Sequence, residues 1–180
     1  MKTQTPPIEI ALSKKKIILA LLGCIAFVAC SVWFILNPER FISSIFRSEK
    51  IIFIVGIIGA IFFGFIGIIT AKKLTDKSKG LIISDEGIYD NSSAVAVGLI
   101  EWKDITGVSK SQIMSTKFLI IKVSDPEKYI AKAKNKLAQN SLRMNLKSYG
   151  SPISIASTTL EINFEELEKL VTERFLDYRN

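Results

Sequence analysis

The chain contains no histidine, and its only cysteines are Cys24 and Cys30. Without histidine the commonest general base and the commonest metal ligand are both missing. Acid–base chemistry would then fall to carboxylates. The available clusters are Asp85/Glu86/Asp90 and Glu101/Asp104. Asp85 and Asp90 sit among turn signals, where aspartate serves local hydrogen bonding. No phosphate-cradling loop, no G-x-S-x-G elbow and no metal-ligand spacing occurs, so the sequence offers no catalytic constellation and no cofactor or metal site. Cys24 and Cys30 fall on one helical pattern, about 9 Å apart along its axis and on different faces, which excludes a mutual disulfide. They read as small apolar residues.

Charge is absent from two long stretches, Ile17–Leu36 (IILALLGCIAFVACSVWFIL) and Ile51–Ala71 (IIFIVGIIGAIFFGFIGIITA). As helices each reaches about 30 Å, the thickness of a bilayer's hydrocarbon core. A helix satisfies its backbone hydrogen bonds within one segment, as lipid requires. The expectation is an integral membrane protein with two spans. A secretory signal is the first alternative, but the run is too long for an h-region and no A-x-A site ends it. Leu21-Leu22-Gly23-Cys24 resembles a lipoprotein cleavage box, and Val28-Ala29-Cys30 does so more weakly. Yet the apolar run continues past Cys24, where a lipoprotein turns polar. Neither run contains proline. With no polar group at the midplane they suit an anchor better than a transport path.

The net charge of +7 raises nucleic acid as a partner, and its distribution argues against one. Residues 80–180 carry equal numbers of acidic and basic side chains, so the excess lies at the borders of the spans. Lys2, Lys14, Lys15 and Lys16 precede the first run, and Lys72, Lys73, Lys77 and Lys79 follow the second. The intervening loop has Arg40, Arg47 and Lys50. Basic flanks stay cytoplasmic. The expected layout is a cytoplasmic tail (1–16), span one (17–36), an external loop (37–50), span two (51–71), a basic linker (72–79) and a cytoplasmic domain (80–180), with both termini inside the cytoplasmic (inner) membrane.

Gly56, Ala60 and Gly64 recur every four residues and mark a candidate helix-packing face. It serves either packing of the two spans on each other or a homo-oligomer contact. In the loop, Asn37 is placed to cap and Pro38 to open a short helix. Phe41, Ile42, Ile45 and Phe46 would share its apolar face, as in an interfacial helix.

The region 80–180 is long enough for one domain. Gly80–Asp90 reads as strand, Asp-Glu-Gly turn, strand, and Asn91-Ser92-Ser93 as a second turn. Ala94–Glu101, a short strand before Val108, Lys117–Val123 and Pro152–Ala156 supply further strands. Short strands at close spacing predict an antiparallel sheet or partial barrel. Asp125 caps a helix with Pro126 at its first position. Tyr129, Ile130, Ala133 and Leu137 share its apolar face. Lys128, Lys132, Lys134 and Lys136 lie opposite or on its flank, with Arg143 and Lys147 beyond. These six cations are the candidate contacts to an anionic lipid surface, against the alternative of an ordinary solvated face. Asn163 with Glu166 forms a capping box for a final helix. Its stripe of Phe164, Leu167, Leu170, Val171, Phe175 and Tyr178 belongs against the sheet.

Gly80-Leu81-Ile82-Ile83-Ser84-Asp85-Glu86-Gly87-Ile88, followed by Ile100-Glu101-Trp102-Lys103-Asp104-Ile105, resembles bacterial pleckstrin-homology-like (PH-like) domains. These open on a strand, a D-x-G-I turn and an I-x-W-x-D-I segment, and close on one helix. The chain as a whole, with Lys14–Lys16, its two runs and Asn91-Ser92-Ser93, resembles a family of small bacterial two-span membrane proteins of uncharacterised function. The resemblance implies a membrane α-helical hairpin plus an α+β domain, an antiparallel PH-like sheet closed by a C-terminal helix. It implies no activity. The functional expectation is a non-enzymatic adaptor that binds membrane lipids or a protein partner. The alternatives are an accessory subunit docking through span two and, behind it, a lipid-acting enzyme.

Overall fold

The computed structural model describes residues 6–43 and 48–179. The described chain divides into two compact units, one from Lys14 to Asp76 and one that joins the residues before Lys14 to those from Lys77 onward.

The first unit is a pair of long helices, α1 (Lys14–Leu36) and α2 (Glu49–Thr75), both long and apolar enough to cross a membrane. Each starts or ends beyond the apolar run itself. Lys14–Lys16 form the first turn of α1, and Lys72 and Lys73 lie in the last turn of α2, where cations suit the helix dipole. The helices pack along one narrow seam. Ile52 and Gly56 are buried on α2, and Ile17, Cys24 and Ser31 on α1. Phe27 stacks on Phe63 with ring centroids 4.3 Å apart. Only 11% of each apolar window is buried inside the unit, and Leu19, Leu36 and Ile61 are each about 70% exposed. In the loop, Pro38–Phe41 make a single 3-10 turn. Asn37 precedes it without a capping side-chain bond, contrary to the expectation for that residue. The Ile45 and Phe46 part of the expected interfacial helix lies outside the described residues.

The second unit corrects the expected domain boundary. Ile8–Ile10 form strand β1, which pairs antiparallel with β2 (Leu81–Ile83), Ile8 opposite Ile83 and Ile10 opposite Leu81. Leu12 then bridges Leu160, and the Ser13 N–H donates to the Thr159 carbonyl. Ile10 and Leu12 are buried. The segment expected to be a tail is therefore an edge of the domain, and the hairpin is an insertion between the first two strands. A three-residue strand behind Pro6-Pro7 has too few positions to declare a period of two.

The sheet continues with β3 (Gly87–Asp90) and β4 (Gly98–Glu101), in the order β1-β2-β3-β4. A second sheet, β5-β6-β7, holds β5 (Ile105–Ile113), β6 (Thr116–Val123) and β7 (Ile153–Ala156). All neighbours are antiparallel. The two sheets stay separate, so the expected partial barrel is not closed. Two strands also differ in length from expectation. Residues 94–97 turn before β4 begins, and β5 runs on to Ile113 as half of a long hairpin with β6.

Gly87 marks the tight return into β3. A Cβ there would strike the Ile100 carbonyl across the sheet, so only glycine fits. Trp102 is buried at the start of a 3-10 turn (Trp102–Asp104) that connects the sheets. Its indole N–H donates to the Ser84 carbonyl at 2.7 Å, tying that turn to the β2–β3 corner.

Three helices complete the unit. The helix expected from Asp125 breaks into α3 (Pro126–Ala131) and α4 (Lys136–Tyr149). Asp125 caps the first, accepting from the Lys128 N–H, and Asn135 caps the second, accepting from the Ala138 N–H. Asn135 carries the start of a new helix, and this turns Leu137 out to solvent instead of onto the buried face with Tyr129 and Ile130. Gly150, at φ 73°, ends α4 in the left-handed conformation. The last helix, α5 (Phe164–Arg179), begins at the Asn163 cap, which accepts from the Glu166 N–H at 2.8 Å. Phe164, Leu167, Val171 and Phe175 are buried, and Tyr178, half exposed, stacks on Trp102.

Candidate functional site

The densest group of charged side chains in the described residues sits where α3 crosses the outer edge of β4. In an antiparallel strand, polar groups two residues apart face the same side. Leu99 and Glu101 therefore direct one carbonyl and one N–H toward the edge with no strand beyond. Two side chains of α3 meet them. Lys132 Nζ donates to the Leu99 carbonyl at 2.7 Å, and the Tyr129 hydroxyl accepts from the Glu101 N–H at 3.2 Å. The helix thus covers a sheet edge that would otherwise invite pairing with another chain.

Charges reinforce the cover. The Tyr129 hydroxyl donates to Asp104 Oδ2 at 2.7 Å. Lys128 Nζ lies 2.6 Å from the same carboxylate oxygen and 2.8 Å from Glu101 Oε1. Lys103 reaches Glu101 Oε2 at 2.6 Å, and Lys132 rides 4.7 Å over the Tyr129 ring. The tyrosine side chain is fully buried. Hydrogen bonds from Lys103 and then Lys128 hold the Glu101 carboxyl below its usual range. Asp104 is lowered by Lys128 and then Tyr129. The bonds to Asp104 and Glu101 raise Lys128, and Glu101 raises Lys103. Burial first, then the bond to Asp104, pushes Tyr129 up to about 12. Burial, then the neighbouring Lys128 charge, lowers Lys132. Each shift stabilises the protonation state already present at neutral pH, except the lowering of Lys132. Every acid here has a committed cation or hydroxyl, so the cluster acts as a latch between α3 and the β4–β5 corner.

The six cations marked in the sequence are accordingly not equivalent. Lys128 and Lys132 belong to the latch. Arg143 forms a two-pronged pair with Glu127, at 2.9 and 3.1 Å. Lys134, Lys136 and Lys147 are exposed and make no hydrogen bond or ion pair with any described residue. Lys136 stands in the first turn of α4, where the helix dipole disfavours a cation and where acidic residues are absent.

The outer face of α4 holds more than the sequence pattern signalled. Leu137 is 63% exposed and Met144 69% exposed, one heptad apart. Lys136, Arg143 and Lys147 run alongside, and α4 contains no acidic residue. Leu137 was expected on the buried face, and Met144 gave no signal once the helix was phased from Asp125 instead of Asn135.

On the hairpin, the three positions of the small-residue stripe also part company. A Cβ at Gly56 would stand 2.8 Å from the Ser31 carbonyl oxygen and 2.9 Å from Ile35, so this glycine lets α1 and α2 touch. Gly67, outside the stripe, faces Cys24 at 3.5 Å. Gly64 has nothing within 4 Å, and Ala60 is half-buried. The seam follows Ile52, Gly56, Gly59, Phe63 and Gly67, spacings of four, three, four and four. The strict interval of four drifts off this line.

No protein-family model matches the chain, and no curated protein and no solved structure matches it.

Proposed function

We propose that the chain is a membrane-anchored, non-enzymatic binding protein of the inner membrane, presenting a PH-like domain at the cytoplasmic face. The observation that carries this reading is the pairing of β1 with β2 across the inserted hairpin. A strand before α1 and a strand after α2 share one sheet, so both ends of the hairpin leave the bilayer on the same side. The basic residues flanking the hairpin make that side cytoplasmic. The exposure of the apolar windows supports spans over soluble core helices, since that surface needs lipid around it. The PH-like reading draws on the antiparallel sheets of four and three strands among the described residues, followed by the C-terminal helix α5.

Binding is preferred to catalysis because Glu101, Asp104, Tyr129 and Lys128, the most closely grouped titratable side chains, satisfy one another. The accessory-subunit reading retains one support: a side chain at Gly64 would stand in open space among the described residues. Single cysteines at Pro7, Glu39 and Lys169, in a chain with Cys24→Ala and Cys30→Ala, test the arrangement. A membrane-impermeant maleimide added to intact cells should label the cysteine at Glu39 alone. Labelling of either other position from outside overturns the orientation. Crosslinking in native membranes identifies the partner, and recovery of the chain with itself alone would replace the adaptor reading by a homo-oligomer.

A further inference from the structure

We infer that the outer face of α4 docks on the anionic surface of the chain's own membrane, with Leu137 and Met144 as apolar anchors and Lys136 and Lys147 as headgroup contacts. The inference deepens the anchored-domain reading and rests on it.

Four observations converge on lipid as the occupant. The two largest apolar side chains of the face, Leu137 and Met144, are turned to solvent although Ala138 and Leu142 of the same helix fill the interior. They form one ridge along the helix, and a basic ridge lies beside it. The helix has no acidic residue to offset those cations. The nearby carboxylate of Glu127 is taken by Arg143, leaving Lys136 and Lys147 without a protein counter-ion among the described residues. A face with apolar anchors and uncompensated cations complements a negatively charged lipid surface. A polar protein surface would leave the anchors wet, and a nucleic acid would leave them unused. Lys134, in the turn before α4, adds a cation without a counter-ion among the described residues at the Lys136 end. Lys128 and Lys132 are excluded from this surface by their roles at the β4 edge.

The test uses the full chain with Cys24→Ala and Cys30→Ala, reconstituted in nanodiscs. A nitroxide is attached at Met144→Cys, and in a separate chain at Lys169→Cys on α5. In discs containing phosphatidylglycerol, the label at 144 should lose collisions with a water-soluble nickel chelate and gain collisions with oxygen. In pure phosphatidylcholine it should stay aqueous, and the label at 169 should stay aqueous in both. Each lysine near an anionic surface favours docking on the order of fivefold. K136E with K147E should therefore lower the docked population on the order of 20-fold or more and restore nickel access at 144. An aqueous label in both lipids overturns the inference, as does docking that ignores lipid charge or survives the double reversal. Maleimide labelling at Pro7, Glu39 and Lys169 reports separately on the anchored-domain reading. If the two ends of the hairpin label from opposite sides, that reading fails; if they label together while 144 stays aqueous, only the docking face fails.

Discussion

Replacing Tyr129 by phenylalanine isolates the hydroxyl at the centre of the latch. The ring keeps its volume, and Lys132 keeps its seat over it. Two hydrogen bonds disappear: the one given to Asp104 at 2.7 Å and the one taken from the Glu101 N–H at 3.2 Å. Asp104 retains Lys128. The Glu101 N–H, on the β4 edge beneath α3, has no replacement. A hydrogen bond to a charged group contributes about 1.5–3 kcal/mol, and a buried unsatisfied donor costs about 1–3 kcal/mol. Because the two losses share one hydroxyl and the site relaxes, the combined cost should be about 2–3 kcal/mol. At about 4 °C per kcal/mol for a domain of this size, the thermal midpoint should fall by about 8–12 °C. Thermal unfolding of the full chain in nanodiscs, followed by near-ultraviolet circular dichroism, reads the midpoint. Hydrogen exchange at the Glu101 amide reads the edge itself. Asp104→Asn should be non-additive with Tyr129→Phe, since both break the same contact. An unchanged midpoint with unchanged protection of the Glu101 amide would refute the latch.

The lowered carboxyls of Asp104 and Glu101 give stability that is present above their ordinary range and lost as pH falls through their depressed folded values, so the acid limb of a pH–stability profile should shrink in Asp104→Asn. At the other end, Tyr129 ionises more readily once unfolded, so wild-type stability should decline as pH rises from about 10 toward about 12 while Tyr129→Phe declines less. Raised Lys128 adds to the same alkaline loss, because its stabilisation is fully present below the ordinary lysine value and is lost as pH rises from there through its raised folded value. Gly56→Leu should separate α1 from α2, detected as lost crosslinking between cysteines on the two helices, whereas Gly64→Leu should leave that crosslink intact. A chain in which residues 14–76 are replaced by a short Gly-Ser linker should be a folded soluble monomer, whereas residues 77–180 alone, with the β2 edge bare, should self-associate in analytical ultracentrifugation.

What the sequence could reveal followed from how far each signal reaches along the chain. Long apolar runs and the Asn163/Glu166 box are local and strong, and α1, α2 and α5 form where they point. The Asp-Glu-Gly corner is equally local, with Gly87 forced by the carbonyl it faces. The division of α3 from α4 was less legible because Asn135 sits amid lysines and alanines that are good helix formers. Helical propensity there favours continuation, and one capping bond decides against it. That single break rotates the following residues, so Leu137 leaves the face expected to be buried and Met144 joins it in solvent. Tyr129 was visible as an apolar residue on a helical face, but its hydroxyl meets Asp104 and Glu101 across more than twenty residues of chain, and no local pattern encodes that meeting.

The least legible feature is the one with the widest consequence. Ile8-Glu9-Ile10 is too short to declare itself, and its partner strand lies beyond both apolar helices. A domain assembled from both ends of a hairpin cannot complete its first sheet until both apolar helices have been made and β2 is available. Its edge strand then closes a loop of chain that contains both apolar helices. Closing so long a loop costs only slightly more than closing a short one, because the entropy grows with the logarithm of length, and pairing of the two helices brings the ends together beforehand. Seam and sheet should therefore support each other. Gly56→Leu, which spreads the helices, should weaken the β1–β2 pairing as well, read as faster exchange of the Gly80 amide that donates to Ile10. Unchanged exchange there, with the helices demonstrably parted, would show that the sheet holds β1 without help from the hairpin.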